Sequence, residues 1–232
     1  MKKTILLIFL LSILISTQNC KNMFGIYSAI DHANSFAGSS ILNILQKTGQ
    51  TTAYDANTPK RDDGALQIGI AWPSPRFTNN GDGTVTDNLT GLIWAQNANL
   101  AVASMNWQPA LNYVAGMNAG TYSNFGYTDW RLPNVNELES LVSFGQTNIA
   151  TWLNTQGFTN VQAGSYWSST TYAPSTANAL YISMSDGTLG NSAKATYGYS
   201  VWPVRGGQNG VISIPKTGQT TAYDTNTPKR DD

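Results

Sequence analysis

Residues 127–141 read YTDWRLPNVNELESL, and this stretch decides how the central part of the chain folds. Pro133 disfavours a helical conformation at the preceding residue, so the Trp-Arg-Leu run before it is predicted to be extended. Asn134 is a preferred helix N-cap, and Glu137 follows three residues later, which is the spacing of a capping box. The sequence therefore predicts an extended segment that leads directly into a capped helix.

Large apolar residues on both sides of this junction are expected to form the core of the same domain. Aromatic residues and leucines at strand or helix spacing usually pack inside a protein rather than line a ligand site. The predicted core residues are Trp94, Trp107, Trp130, Leu132, Leu138, Trp167 and Trp202.

Composition places the chain among ordinary globular proteins. Its 232 residues carry no net charge, and 41% are hydrophobic while only 11% are charged. That balance suits one domain with flanking segments. Because the chain has no excess of positive charge, its composition argues against a nucleic-acid partner.

The N-terminus has the pattern of a secretory signal peptide at residues 1–19. Lys2 and Lys3 form a positive start, and an apolar run follows at residues 5–15. That run is too short for a typical transmembrane helix, so the pattern predicts export.

Cys20 is the only cysteine, and it stands directly after this segment. A lone thiol in an exported chain cannot form an internal disulfide, whereas lipid attachment explains its position. The segment resembles the relaxed lipoboxes of spirochaete lipoproteins, although Thr17 and Asn19 stand where the usual motif has leucine and a small residue. An ordinary cleaved signal with an incidental cysteine is the alternative. Lipidation predicts a protein anchored to the outer membrane or cell surface.

A 17-residue segment occurs twice, at 47–63 and at 216–232. The two copies differ only at Ala56 versus Thr225, and they lie 169 residues apart (216 − 47). That period is the size of a whole domain, which favours a tandem array; a duplicated linker that packs on the domain edge is the alternative. The predicted organisation is a signal peptide (1–19), a lipidated tether with the first copy (20–63), a domain (64–209), and the second copy as the start of a missing second unit (210–232).

The second copy is expected to contribute little to the domain before it. Tyr223 is its only large apolar side chain. We therefore expect the copy to bury too little surface to offset its ordering entropy, and to be poorly ordered.

Periodicity and turn residues predict the elements of the domain. The predicted elements are a strand at 66–72, a hairpin around Asn80-Gly81 and Asp82-Gly83, a helix at 106–118 capped by Asn106, a helical turn at 149–155, a strand at 166–170, a hairpin around Asp186-Gly187, and a closing strand at 199–205.

The first hairpin also imitates part of a calcium-binding loop. Asn80, Asp82 and Asp87 are the candidate ligands of a calcium ion. The first loop position lacks aspartate, however, and Leu89 stands where a glutamate is required, so a bare hairpin is the favoured interpretation.

Five sequence blocks resemble the C-terminal domain family of the Legionella collagen-like protein. They are DGTVTDNLTGLIW (82–94), NWQPAL (106–111), DWRLPNVNEL (129–138), YWSS (166–169) and VWPVRG (201–206). Their order also resembles the C-type-lectin-like fold and the formylglycine-generating enzyme. The resemblance implies an α+β, C-type-lectin-like domain with two helices, small antiparallel sheets and long loops. It also implies an extracellular adhesive role, although the chain has no Gly-X-Y collagen tract to support a trimer.

Missing residue types argue against an enzyme. Residues 64–208 contain no histidine and no cysteine, which removes serine–histidine, cysteine–histidine and histidine–metal sites. The copper-binding cysteines of the formylglycine-generating enzyme therefore have no counterpart. A carboxylate pair such as Asp129 with Asp186, in a glycan hydrolase, is the less favoured alternative.

The favoured function is a non-enzymatic, adhesin-like domain that binds a glycan or a host or matrix protein. Residues 64–208 hold four basic and six acidic residues, a net charge of −2. The Legionella collagen-like protein binds glycosaminoglycans, but a sulfated ligand requires a basic cluster, so we do not expect that ligand here. The candidate ligand-binding residues are Asp129, Arg131, Tyr172, Lys194 and Arg205. A structural surface lipoprotein without a ligand is the alternative.

Overall fold

A computed structural model describes residues 45–206, 209–229 and 231. The predicted signal peptide and Cys20 lie outside these residues. Among the described helices, none has the length and apolar character needed to cross a membrane.

Four helices and seven strands make up the described part of the chain. The helices are α1 (Asp63–Leu66), α2 (Trp107–Asn118), α3 (Val135–Ser140) and α4 (Ile149–Thr155). The strands are β1 (Phe77–Asn79), β2 (Thr84–Asp87), β3 (Ile93–Ala95), β4 (Ser165–Thr171), β5 (Asn178–Ser183), β6 (Leu189–Ala193) and β7 (Val204–Arg205). The domain is thus α+β with small antiparallel sheets, as predicted. Its likeness to C-type lectins stays a prediction. The helical turn predicted at 149–155 is present as α4, whereas α1 was not predicted.

The first sheet has the strand order β1-β2-β3-β7, and its neighbouring strands are antiparallel. Its first hairpin is the one predicted from the Asn-Gly and Asp-Gly pairs. Gly81 and Gly83 adopt φ values of 78° and 90°, which glycine accepts without steric cost. The second sheet has the order β4-β5-β6, also antiparallel, and the predicted Asp-Gly turn connects β5 to β6.

The capping box at the start of α3 is confirmed. The Asn134 side chain accepts a hydrogen bond from the Glu137 N–H at 2.9 Å, and the Glu137 carboxylate accepts one from the Asn134 N–H at 2.9 Å. The cap predicted for α2 is different. Asn106 stands at the N-cap position but makes no side-chain cap, and its amide donates to the Ala195 carbonyl at 2.7 Å.

Two predicted strands are wrong or shorter than predicted. Residues 66–72 do not form a strand, because α1 ends at Leu66 and Gln67 turns the chain in the left-handed conformation at φ 45°. Ile70 alone then forms an isolated bridge, with Gln46. At 199–205 only β7 forms, since Pro203 has no N–H to contribute to a strand ladder.

The core lies between the two sheets and the helices. All of the predicted core tryptophans and leucines are buried, each with at most 1% of its surface exposed. Two of the buried indole N–H groups have carbonyl partners; Trp107 donates to Ser168 at 2.8 Å, and Trp202 donates to Ala95 at 2.8 Å. These bonds tie α2 to β4, and the C-terminal segment to β3.

Both copies of the repeat pack against the domain, and its predicted bounds at 64 and 209 stay a prediction. The described residues all lie within one compact unit, Asn43–Asp232. The second copy makes more contact than expected from its composition, because it docks through polar groups. Its Asp224 is 1% exposed, and its Gln219 side chain accepts a hydrogen bond from the Thr171 N–H at 2.7 Å. Whether this copy begins a further unit stays a prediction.

Candidate functional site

Three of the predicted ligand-binding residues come together beside β7. Arg131 forms an antiparallel bridge with Val204, which places it next to Arg205. The Arg205 guanidinium pairs with Asp129, with Nε and Oδ1 2.6 Å apart, and lies over the Tyr127 ring at 3.8 Å. A cation stacked on an aromatic face is stabilised by the negative face of the ring.

The charges of this cluster are neutralised within it. The Tyr127 hydroxyl donates to Asp82 at 3.0 Å, and this bond raises the pKa of Tyr127. The Thr84 hydroxyl is the main cause that lowers the pKa of Asp82. Arg131 pairs with Glu137. The cluster is therefore a mutually satisfied network rather than a set of unpaired charges that wait for a ligand.

The other two predicted residues, Lys194 and Tyr172, lie at the second copy of the repeat. The Lys194 ammonium donates to the Thr171 hydroxyl at 2.7 Å and lies over the Trp107 ring at 4.0 Å, and partial burial lowers its pKa. Tyr172 lines a 500 Å³ groove between β4 and the second copy. The five predicted residues thus divide between two places.

The predicted calcium ligands do not converge. Asn80 directs its amide to the hydroxyls of Thr84 and Thr86, at the turn between β1 and β2. Asp87 stands at the far end of β2, where its carboxylate is buried and paired with Arg76 at 3.3 Å. Within the described residues, no three His, Cys, Asp or Glu side chains are grouped so that they could hold a metal ion.

A platform of tyrosines, which sequence reasoning missed, covers one side of the second sheet. The Tyr199 ring lies 4.8 Å from that of Tyr181 and 6.3 Å from that of Tyr197, and it rests on Trp167 at 4.5 Å. Tyr181 lies across its strand partner Gly190, where any larger residue would collide with the phenol. Partial desolvation, with smaller contributions from Tyr199, raises the pKa of Tyr181. Tyr197 is 52% exposed, so the platform reaches solvent.

A polar cleft of 310 Å³ opens beside this platform. It is lined by uncharged residues: Asn99, Val102, Ala103, Ser104, Gln162, Ala163, Gly164, Ser165, Tyr199 and Ser200. Val102 is 81% exposed at the rim and adopts φ 57°. A β-branched residue in the left-handed region is strained, and such strain is concentrated at binding sites. The cleft therefore combines an aromatic edge, amide and hydroxyl groups, and a strained rim.

This cleft could not be read from one stretch of sequence, because three separate loops form it. One signal was available. Tyr197 and Tyr199 alternate with Gly198, and alternation in an extended segment places two side chains on the same face.

The carboxylates proposed for a hydrolase are engaged elsewhere. Asp129 pairs with Arg205, whereas Asp186 accepts a hydrogen bond from the Thr188 N–H at 3.0 Å in the turn between β5 and β6. Hydrogen bonding in that turn lowers the pKa of Asp186, and the Thr188 N–H is the largest cause. Neither carboxylate lines the polar cleft.

Comparison with known proteins agrees with the sequence blocks. A family model described as the Lcl C-terminal domain matches residues 83–205, which is more than half of the chain. No curated protein matches the chain. The matched range includes Tyr127, its neighbours Asp129 and Arg205, the tyrosine platform and the polar cleft.

Proposed function

The chain belongs to the Lcl C-terminal domain family, and from that premise we propose that its domain is a non-enzymatic binding module for an uncharged glycan. The observation that carries this proposal is the uncharged cleft beside Tyr199. Exported and held at the cell surface through a lipid on Cys20, such a module would act as an adhesin. The segment that contains Cys20 supports export and anchoring through its sequence pattern alone.

Sugar chemistry fits this surface. A pyranose ring has an apolar face of C–H groups, which packs on an aromatic ring, and an edge of hydroxyls, which need donors and acceptors. The exposed ring of Tyr197 offers the first kind of contact. The side chains of Asn99, Ser104 and Gln162 offer the second kind.

Electrostatics favour a neutral ligand over a sulfated one. Between residues 172 and 204 the sequence has one cationic side chain, that of Lys194, and its ammonium is directed to Thr171 and the Trp107 ring rather than to the cleft. A polyanion requires a cluster of basic residues. A polar, uncharged lining instead matches hydroxyl-rich sugars.

Binding without catalysis is supported by the partners of the acidic groups. Hydrolysis of a glycosidic bond requires two carboxyl groups on either side of the bond. Here Asp87 is buried against Arg76, Glu137 pairs with Arg131, and Asp129 pairs with Arg205. These ion pairs support a binding role.

The proposal is tested with glycan arrays probed by the exported Cys20→Ser protein. Tyr197→Ala and Gln162→Ala should each weaken binding to a positive glycan by about tenfold, since a lost stacking or hydrogen-bonding contact is worth ~1–1.5 kcal/mol. Tyr122→Ala is the matched control, because Tyr122 is a 45% exposed tyrosine away from the cleft. Absence of binding across the array, or equal loss in the control, would favour a structural lipoprotein without a ligand.

A further inference from the structure

The two copies of the repeat adopt the same hydrogen-bonded conformation in different surroundings. In both, the aspartate side chain accepts from the N–H two residues later, at 2.9 Å for Asp55 and at 2.9 Å for Asp224. The glutamine amide donates to the carbonyl two residues later, at 3.1 Å for Gln50 and at 3.0 Å for Gln219. The lysine ammonium also donates to that aspartate's own carbonyl in each copy. The segment therefore folds by its own contacts.

We call residues 54–57 the first tip and the equivalent residues 223–226 the second tip. The second tip docks on a surface formed by α2 and the chain after β6. Gln108 recognises it twice, because its amide donates to Asp224 at 2.8 Å and its carbonyl oxygen accepts from the Thr225 N–H at 3.1 Å. Asn226 donates to Asn112 at 3.0 Å.

The cation of Lys194 completes this docking surface. Its ammonium lies over the Tyr223 ring at 4.6 Å and over the Trp107 ring at 4.0 Å, so it is held between the two aromatic faces. We call Trp107, Gln108, Asn112 and Lys194 the tip-binding surface. Docking leaves Tyr223 37% exposed and Asp224 only 1% exposed.

The first tip presents the same groups to solvent. Tyr54 is 78% exposed, and Asn57 is exposed as well. In the part of the chain that the structure describes, the hydrogen bonds of residues 54–57 go only to other residues of the first copy. The first copy is instead attached to the domain by its beginning, where the Thr48 carbonyl accepts from the Phe144 N–H at 2.9 Å.

Chemically, the first tip matches the tip-binding surface as well as the second tip does. Each side chain that the surface recognises is identical in the two copies: Tyr54 equals Tyr223, Asp55 equals Asp224, and Asn57 equals Asn226. The one difference, Ala56 for Thr225, falls where the surface uses only the backbone N–H. Alanine supplies that N–H equally.

We propose that the first tip of one molecule docks on the tip-binding surface of a second copy of this chain, where it replaces that copy's own second tip. The contact joins two different surfaces, so it is head-to-tail and extends from molecule to molecule. In an isolated molecule the second tip holds the surface, because its tether gives it a high effective concentration. Crowding of many copies on one surface shifts the competition toward the exchange. This inference does not depend on the glycan ligand.

The test opens the surface in the full chain and measures mass by sedimentation velocity. All variants carry Cys20→Ser, and all are kept in the same non-ionic detergent because of the apolar run at 5–15. The parent should sediment as a single chain. Asp224→Ala/Asn226→Ala releases the second tip. The average mass of this variant should then rise about twofold or more as the protein concentration is raised. Adding a synthetic peptide of residues 216–232 should reverse the rise.

Two matched variants separate docking from non-specific aggregation. Adding Asp55→Ala/Asn57→Ala to the released variant removes the side chains of the first tip that the surface would bind. Adding Gln108→Ala instead removes the glutamine of the tip-binding surface that binds the tip. Either addition should restore the single-chain mass. A released variant that stays at single-chain mass overturns the proposal, and so does association that persists in both matched variants.

Discussion

Arg131 and Glu137 face each other through two parallel hydrogen bonds, with Nη1 2.5 Å from Oε2 and Nη2 2.6 Å from Oε1. Glu137 also accepts from the Asn134 N–H at 2.9 Å. One carboxylate therefore caps α3 and holds the extended segment that precedes it. The Glu137 side chain is 4% exposed and that of Arg131 is 34% exposed, so the pair lies at the edge of the core.

Replacing Glu137 should be costly. Glu137→Ala leaves the Arg131 guanidinium without its carboxylate and the Asn134 N–H without its acceptor, and we expect a loss of about 3 kcal/mol in unfolding free energy. Glu139→Ala, on the exposed face of the same helix, should change stability by less than ~0.5 kcal/mol. Urea denaturation of both variants measures the difference. Equal midpoints would show that the Arg131–Glu137 pair contributes no net stability.

Trp130 should behave as a core residue. It is fully buried, its indole donates to the Asn124 carbonyl at 2.8 Å, and it meets Phe125 edge to face. Trp130→Ala should therefore cost ~3–5 kcal/mol, the usual range for a large buried aromatic residue. Thermal unfolding beside the Tyr122→Ala variant checks this, and an unchanged midpoint for Trp130→Ala would contradict it.

The pKa of Tyr166 predicts how stability changes in alkali. Burial raises the pKa of this phenol from 10.0 to about 12. Between these values the unfolded chain loses the proton while the folded protein keeps it, so the unfolding free energy falls as pH rises, by up to about 1.4 kcal/mol per pH unit. Urea midpoints at about pH 9 and about pH 11.5 should differ less in Tyr166→Phe than in the parent. A parallel decline in both proteins would contradict the prediction.

Lipid attachment at Cys20 is tested by metabolic labelling with a radioactive fatty acid. The parent should incorporate the label and partition into the detergent phase, because two or more acyl chains anchor a protein stably. Cys20→Ser should lose the label, since it removes the only thiol in the chain. Label that survives Cys20→Ser would refute lipidation at this residue.

Local signals were predictable from sequence. The capping box of Asn134 and Glu137 and the turns at Gly81 and Gly187 each depend on residues within a few positions of one another. Such short-range chemistry acts in the same way in any fold. The strand predicted at 66–72 failed because alternation alone does not exclude other conformations, and Gln67 adopts the left-handed one.

Site geometry was less predictable, because it depends on contacts between distant segments. The sequence predicted Asp87 as a calcium ligand, whereas in the structure it pairs with Arg76 in the interior. Tyr181 and Tyr199 come from a strand and a loop, and only the packing of Tyr199 on Trp167 brings the two phenols together. Residue type could not show these partners in advance.

The segments on either side of the family domain, at Leu45 and at Pro215, line the same groove, and this has a mechanical consequence. Leu45, Gln46 and Thr48 line one side of a 320 Å³ cavity, and Ile212, Ile214 and Pro215 line it as well. A pulling force applied at Leu45 and Pro215 therefore acts across a short distance beside α3. It would first load backbone hydrogen bonds close to those two points, between Leu45 and Ile70 and between Ile212 and Leu89. The resistance of the protein to tension is then set by the rate at which these peripheral contacts rupture, rather than by the stability of the tryptophan core.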